Sequence, residues 1–154
     1  MIWRDRKLGS VVLASLLMLG SGVAQAGIHD SLFYAAREGL YESASRLIDQ
    51  HANVNYANGK GETPMHAAAS QGHLQILQLL RSKGARHDRR TVGGWYPLHH
   101  AVRFGHVQAA RYLLNMGTPL HVRTREGKSV FDLANATGNR AMLNFLRDYS
   151  RHRR

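Results

Sequence analysis

Histidines are the residues of this 154-residue chain with the most potential for chemistry, because it contains ten of them and no cysteine. Imidazole binds metal ions and exchanges protons near neutral pH. His99 and His100 are adjacent, but neighbouring residues of a helix point about 100° apart and do not converge on one ion. We therefore expect no metal site. Without cysteine the chain has no thiolate ligand, no thiol nucleophile and no disulfide.

Acid–base or nucleophilic catalysis finds no support in the remaining polar residues. The carboxylates are scattered, and no pair of them recurs on a helical face beside a candidate nucleophile. The serines lack a Gly-x-Ser-x-Gly setting, and no glycine-rich motif that would hold a phosphate is present. The sequence predicts a protein that is not an enzyme and takes neither a cofactor nor a small-molecule substrate.

The charge is strongly basic, with 21 Lys and Arg against 10 Asp and Glu. Such a surface attracts anionic partners by long-range electrostatics. Most of the positive charge is arginine, which favours planar or stacked contacts with carboxylates, phosphates and aromatic rings. Charge alone does not identify a partner, since a solvated basic surface would have the same composition.

The N-terminal segment has the three parts of a secretory signal. Arg4, Arg6 and Lys7 precede an apolar run at 11–19, and the small residues of Ala24-Gln25-Ala26 follow. We predict a cleavable signal peptide over 1–26 and a periplasmic or secreted protein, with the bacterial periplasm expected. An uncleaved membrane anchor over the uncharged stretch 8–28 is the alternative, but its strongly apolar part is short for a span.

A period of 33 residues runs through the rest of the chain, and it sets the architecture. Glycine, alanine and leucine each recur in this register, at Gly39, Gly72, Gly105 and Gly138, at Ala35, Ala68, Ala101 and Ala134, and at Leu47, Leu80, Leu113 and Leu146. A further glycine series is formed by Gly61, Gly94 and Gly127. Several series in one register predict a stack of similar structural units.

Each unit reads as a turn followed by two helices. Thr63 and Pro64 are suited to the start of a helix, and Gly72 is suited to its end in the left-handed conformation. The apolar residues of 74–80 have helical spacing and predict a second helix. Polar or glycine-rich stretches at 58–62, 91–95 and 124–128 predict hairpin-like tips between the units.

The segment Thr63-Pro64-Met65-His66-Ala67-Ala68-Ala69, with Gly72-His73 and Gly84-Ala85, resembles the ankyrin repeat. The resemblance implies an all-α solenoid of four helix-turn-helix repeats with hairpin-like tips, over 27–154. The repeats span about 28–62, 63–95, 96–128 and 129–154, and the outer two depart from the pattern as capping units do. Tyr96 replaces the usual threonine, so either its helix start is rearranged or its ring serves the surface.

The resemblance also implies roles for individual residues. His66 and His99 are expected to make structural hydrogen bonds between repeats. Partner binding is expected on the concave face, from tip residues and the residues just before each helix-ending glycine. The expected binding residues are Trp95, Tyr96, His100, Arg103, Phe104, Arg37, Gln71, Arg125 and Lys128. A purely structural role, in which Phe104 packs on its neighbour and Trp95 covers its tip, is the alternative.

Together these features predict an extracytoplasmic module that captures another protein on its concave face, as an accessory or a neutralising factor. An acidic partner would suit the basic surface, and a monomer is expected. The alternative is a basic binder of anionic envelope components or nucleic acid, of which nucleic acid is the less expected. That alternative would use a second patch, formed by Arg86, Arg89, Arg90, Arg123, Arg125 and Lys128, together with the basic C-terminal tail 151–154.

Overall fold

The computed structural model describes residues 21–152, with side chains from Gly27 onward. Within this range there are eight α-helices and no β-strand, apart from an isolated antiparallel bridge between Arg123 and Ser129. The helices are α1 (Ser21–Glu38), α2 (Tyr41–Asp49), α3 (Pro64–Gln71), α4 (Leu74–Ser82), α5 (Pro97–Arg103), α6 (Val107–Asn115), α7 (Val130–Ala136) and α8 (Arg140–Arg151). The predicted all-α class is confirmed.

The predicted signal peptide lies outside the described residues, except for 21–26. The backbone of those six residues forms the beginning of α1. Among the described residues, no helix is both long enough and apolar enough to cross a membrane.

The helices form two layers. The first helices of the four pairs, α1, α3, α5 and α7, pack side by side, and the second helices stack in the same order behind them. Alanine at one register position keeps the first layer close, because Ala68, Ala101 and Ala134 are fully buried between neighbouring helices. The second layer adds larger apolar side chains such as Leu80 and Leu113, also fully buried.

The glycine that ends a first helix serves two purposes at once. Gly72 ends α3 with φ +74°, a conformation that glycine adopts without strain. A Cβ on Gly72 would lie 2.5 Å from Nδ1 of His106 in the next repeat. His106 in turn donates its Nε2–H to the Ser70 carbonyl at 3.0 Å. Lack of a side chain therefore lets the next repeat's histidine reach the end of the helix.

The helix start of the second repeat uses a histidine as well. Nδ1 of His66 accepts from the Thr63 amide at 3.1 Å, and Nε2–H donates to the Trp95 carbonyl of the next tip at 3.1 Å. Both ring nitrogens of a buried side chain thus have partners, as burial of polar groups demands. Because Trp95 ends the same repeat, 63–95, this bond joins the helix start to the tip that closes its own repeat, and not to another repeat as expected.

Tyr96 is the residue just before α5, and its hydroxyl does not cap the helix. Its backbone is extended, with φ −85° and ψ 160°, as at an ordinary helix start. Nδ1 of His99 accepts from the Tyr96 amide at 3.0 Å, and Nε2 of His99 meets the Val122 carbonyl at 3.3 Å. Because the histidine takes over the capping, the helix start is not rearranged and the Tyr96 ring is left to other contacts.

The last repeat replaces this histidine by a carboxylate. Asp132 Oδ2 accepts from the Ser129 amide at 2.8 Å, and Ser129 Oγ accepts from the Asp132 amide at 3.2 Å. The Ser129 hydroxyl also donates to Asp132 Oδ2 at 2.7 Å, and this bond, together with that from the Ser129 amide, holds the pKa of Asp132 below its usual value. A reciprocal box of this kind closes the helix start locally, without a partner in a further repeat.

The tips are joined into a ladder. Within a tip, the Thr91 amide donates to the Trp95 carbonyl at 2.9 Å. Between tips, the Val92 amide donates to the Lys60 carbonyl at 2.9 Å. The next tip follows the same rule, since the amide of residue 125 donates to the carbonyl of residue 93 at 2.8 Å. Backbone hydrogen bonds therefore hold neighbouring tips to one another.

Candidate protein-binding groove

A groove of about 460 Å³ opens on the inner face, which we define as the tips together with the exposed side of the first helices. It lies between the first two tips and α5. Its lining residues are Gly59, Lys60 and Glu62 from the first tip, Thr91, Val92, Gly93 and Trp95 from the second, and His100 and Arg103 from α5.

Arg103 is the centre of an aromatic stack at the edge of this groove. Its guanidinium carbon lies 5.3 Å from the Trp95 ring centroid and 5.7 Å from that of Phe104. Both distances are within the range of cation–π attraction. Trp95 is half-buried, whereas Phe104 is 55% exposed, so part of the Phe104 ring is open to a partner.

His100 forms part of the floor. Its ring centroid lies 5.2 Å from Trp95 and 5.5 Å from His66, and its Nε2 is buried without a hydrogen-bond partner among the described residues. Burial lowers the pKa of His100, and nearby Arg103 lowers it further, while Glu62 acts in the opposite direction. The floor is therefore an uncharged imidazole at neutral pH.

Three charged side chains line the groove. Glu62 is half-buried and its Oε2 accepts from the Asn58 side-chain amide at 3.0 Å. Neither Lys60 nor Arg103 forms an ion pair with any carboxylate of residues 27–152. The groove therefore offers two unpaired cations and one hydrogen-bonded carboxylate.

The structure unites only part of the predicted binding set. Trp95, His100 and Arg103 line the groove, and Phe104 adjoins it through the stack on Arg103. Tyr96 does not line it. Its half-buried ring lies 5.7 Å from the guanidinium carbon of Arg90, so its place is outside the groove.

The other predicted residues lie along the inner face, away from the groove lining. Gln71 is exposed at the end of α3. Arg37 lies 3.8 Å from Glu38, and Lys128 lies 2.7 Å from its near neighbour in the same tip, Glu126. Arg125 is held at the third tip by its backbone hydrogen bond to the second.

The nine expected residues do not include the other groove-lining residues of the two tips, Gly59, Lys60, Glu62, Thr91, Val92 and Gly93. Gly93 lies under the Trp95 ring, where a Cβ would come within 3.2 Å of the indole Cδ1, and Thr91 Oγ1 accepts from the Trp95 amide at 3.1 Å. Tyr34 is 60% exposed and lies two periods before His100, so it occupies the same register of α1. The period itself was the signal that could have identified Tyr34.

The second arginine patch holds less unpaired charge than its sequence suggests. Half of its six cations have carboxylate partners, through the pairs Arg86–Asp88 at 2.9 Å, Arg123–Asp132 at 3.8 Å and Lys128–Glu126 at 2.7 Å. Arg89, Arg90 and Arg125 form no ion pair within the part of the chain that the structure describes. These three remain available to an anionic partner.

Among residues 27–152, no cluster of three or more histidine or carboxylate side chains is arranged to hold a metal ion. Four of the histidines are instead bonded to backbone carbonyls distant in sequence: His73 and His106 bond to the preceding repeat, and His66 and His99 bond to later residues of their own repeat.

Comparison with known proteins agrees with this architecture. The family model for ankyrin repeats (3 copies) matches residues 9–91 and 32–124. Ankyrin repeat and SAM domain-containing protein 6 of Mus musculus is 38% identical over 104 residues, which cover 66% of this chain and 12% of that protein. A transient receptor potential cation channel subfamily A member 1 homolog of Caenorhabditis elegans is 31% identical over 110 residues, 69% of this chain and 9% of that protein.

Alpha-latrocrustotoxin-Lt1a of Latrodectus tredecimguttatus is 44% identical over 55 residues, 35% of this chain and 4% of the toxin. The chain thus spans a small fraction of each of these much longer relatives. Ankyrin repeats mediate protein–protein interaction and are typically non-catalytic. By its repeat period, its helix pairs and the family match over most of its length, the chain belongs to the ankyrin-repeat family.

Proposed function

We propose that this protein captures a protein partner on its inner face, with the groove between the first two tips and α5 as the centre of the contact. The observation that carries the proposal is the stack of Arg103 on Trp95 and the exposed Phe104. Arginine and aromatic side chains dominate the binding energy of protein interfaces.

The groove is held in shape before any partner arrives, which favours specific capture. Its walls belong to tips joined by the Val92–Lys60 backbone hydrogen bond, and its floor belongs to α5. A preformed surface loses little conformational entropy on binding. This rigidity supports a role as a binding module.

We further propose that the protein acts outside the cytoplasm, as an accessory or neutralising factor. The support is the signal-like sequence of residues 1–26. Removing it would shorten α1 to Gly27–Glu38 and would leave its buried residues Leu32, Ala35 and Ala36 in place. The repeat domain can therefore tolerate the cleavage.

The test is affinity capture from the extracytoplasmic fraction, with the wild type compared with a Trp95→Ala/Phe104→Ala double variant. We expect the variant to lose the partner, because truncating an aromatic residue at an interface hot spot costs about 2 kcal/mol or more. A Leu40→Ala/Tyr41→Ala variant is the control, since both residues are large and exposed but lie outside the groove. N-terminal sequencing of the recovered chain should begin at Gly27.

Equal capture by the groove variant and the wild type would refute the groove as the binding centre. The anionic-binder alternative rests on the unpaired Arg89, Arg90 and Arg125, and salt separates it from protein capture. Phosphate-dominated binding falls steeply and log-linearly with salt, whereas a contact centred on aromatic residues weakens mildly.

A further inference from the structure

Arg103 lies beside two aromatic rings, and its N–H donors take part in no ion pair within residues 27–152. When a guanidinium stacks on aromatic rings, its flat face is covered, and the N–H groups at its edge stay free for a planar acceptor. Here the stack involves Trp95 and Phe104. No carboxylate of residues 27–152 pairs with Arg103. Aromatic contacts thus hold Arg103 in place, and its guanidinium has no carboxylate partner among residues 27–152.

The surroundings of Arg103 define what kind of anion fits. Lys60 provides a second unpaired cation from the first tip. Val92 and Phe104, at 60% and 55% exposure, provide apolar surface at the groove and beside it. An occupant that satisfies all of these contacts carries negative charge next to apolar groups.

Glu62 limits how much negative charge the groove accepts. Its carboxylate lines the same groove and is already held by the Asn58 amide. A doubly charged phosphate, or a run of phosphodiesters, would face this carboxylate with only two cations to offset it. A single carboxylate matches the two cations better.

Resting on the function proposed above, we propose that the groove binds an aspartate or glutamate side chain of the protein partner, in a segment that also presents apolar residues. Arg103 would hold the carboxylate through two parallel N–H···O bonds, as its fork geometry allows. Lys60 would add charge attraction, and apolar neighbours in the segment would cover Val92 and Phe104. The part of the partner that contacts the groove is therefore an acidic, partly apolar peptide segment.

The experiment is an NMR titration of the ¹⁵N-labelled full chain with two synthetic peptides, acetyl-Leu-Glu-Leu-amide and its acetyl-Leu-Gln-Leu-amide counterpart. We expect the glutamate peptide to shift the Arg103 Nε–H and Trp95 indole N–H signals. The glutamine peptide should bind about tenfold more weakly, the effect of losing one charge-assisted contact. An Arg103→Lys variant keeps the charge but lacks the fork, and should lose a similar factor.

Arg111→Lys is the matched control, because Arg111 also lies over an aromatic ring but outside the groove. Its guanidinium carbon is 4.7 Å from the ring centroid of Phe145. It should bind the glutamate peptide as the wild type does. Equal binding of the two peptides, shifts outside the groove, or no shift up to about 10 mM peptide would overturn the proposal. Stronger binding of a short oligothymidylate at the same signals would also overturn it, in favour of phosphate.

Failure of this inference can be told apart from failure of the proposed function. Should the Arg103→Lys chain capture the partner at wild-type strength while the Trp95→Ala/Phe104→Ala chain does not, the groove is a protein site but not a carboxylate site. Should both variants capture normally, the groove itself is the wrong surface.

Discussion

His66 and His99 occupy the same position of the repeat motif, and the structure gives both of them the same structural role. Both are buried, with at most 1% exposure, and each bonds at Nδ1 within its own helix start and at Nε2 to a backbone carbonyl further along the chain. Burial lowers the pKa of His66 from 6.5 to about 3, with help from the nearby His100. Burial likewise lowers the pKa of His99 to about 4, although its bond to the Val122 carbonyl opposes the shift.

These shifts predict acid sensitivity. As pH falls below 6.5, the unfolded chain binds protons at both positions before the folded protein does. The free energy of unfolding therefore has its full histidine contribution above that pH. As the pH falls from 6.5 toward 4, the free energy of unfolding declines by about 1.4 kcal/mol per pH unit for each histidine. Urea unfolding across this range, with NMR titration of the two imidazoles, measures both effects.

The control for acid sensitivity is His121→Gln, which changes an exposed side chain. It should keep the wild-type pH profile, whereas His66→Gln/His99→Gln should flatten it. An unchanged slope in the double variant, or protonation of either ring at pH 6, would contradict the assignment.

At the scale of the elements, the contact between Gly72 and His106 joins the end of one first helix to the start of the second helix of the next repeat. The same contact is made between Gly39 and His73, whose Nε2–H donates to the Arg37 carbonyl at 3.0 Å. A repeated contact of this kind sets the spacing of the stack. It explains why glycine and histidine recur together.

Gly72→Ala is therefore expected to destabilise the protein. The left-handed conformation alone costs a non-glycine residue about 1–2 kcal/mol, and the new Cβ would also displace His106. Gly59→Ala is the comparison, because a Cβ there meets nothing within 4 Å and its φ is not left-handed. It should change the urea midpoint little, and equal effects of the two changes would refute the steric argument.

At the scale of the whole molecule, each repeat contacts its neighbours, so stability depends on interfaces along the stack. Leu146 of α8 is fully buried in the last repeat, while Trp95 lies in the tip that precedes α5, outside that repeat. In a short array with well-packed interfaces, we expect a destabilising substitution in the last repeat to lower the stability of the other repeats as well.

Leu146→Ala should lower the free energy of unfolding by about 2–5 kcal/mol, as for other buried leucines. In a Trp3→Phe background, Trp95 fluorescence and far-UV circular dichroism should lose structure at the same urea concentration. Arg147→Ala, at an exposed position of the same helix, should leave the midpoint within about 0.5 kcal/mol of the parent. Two separate transitions would show that the last repeat unfolds alone.

The sequence by itself determined the repeat period, the helix pairs, the helix-ending glycines and the structural role of the repeated histidines. All of these depend on residues that are close along the chain or related by one fixed offset. Their physical tasks, such as a left-handed φ or a small side chain between helices, belong to single residue types.

Only the tertiary structure decided how the candidate site is composed. The sequence placed Tyr96 beside Trp95 in the binding set, yet the fold turns its ring toward Arg90 and leaves it out of the groove. Likewise, ion pairs such as Arg86–Asp88 decide which arginines stay unpaired. The reason is that a groove is built from side chains of different repeats, so its lining depends on distances in space that no offset along the chain encodes.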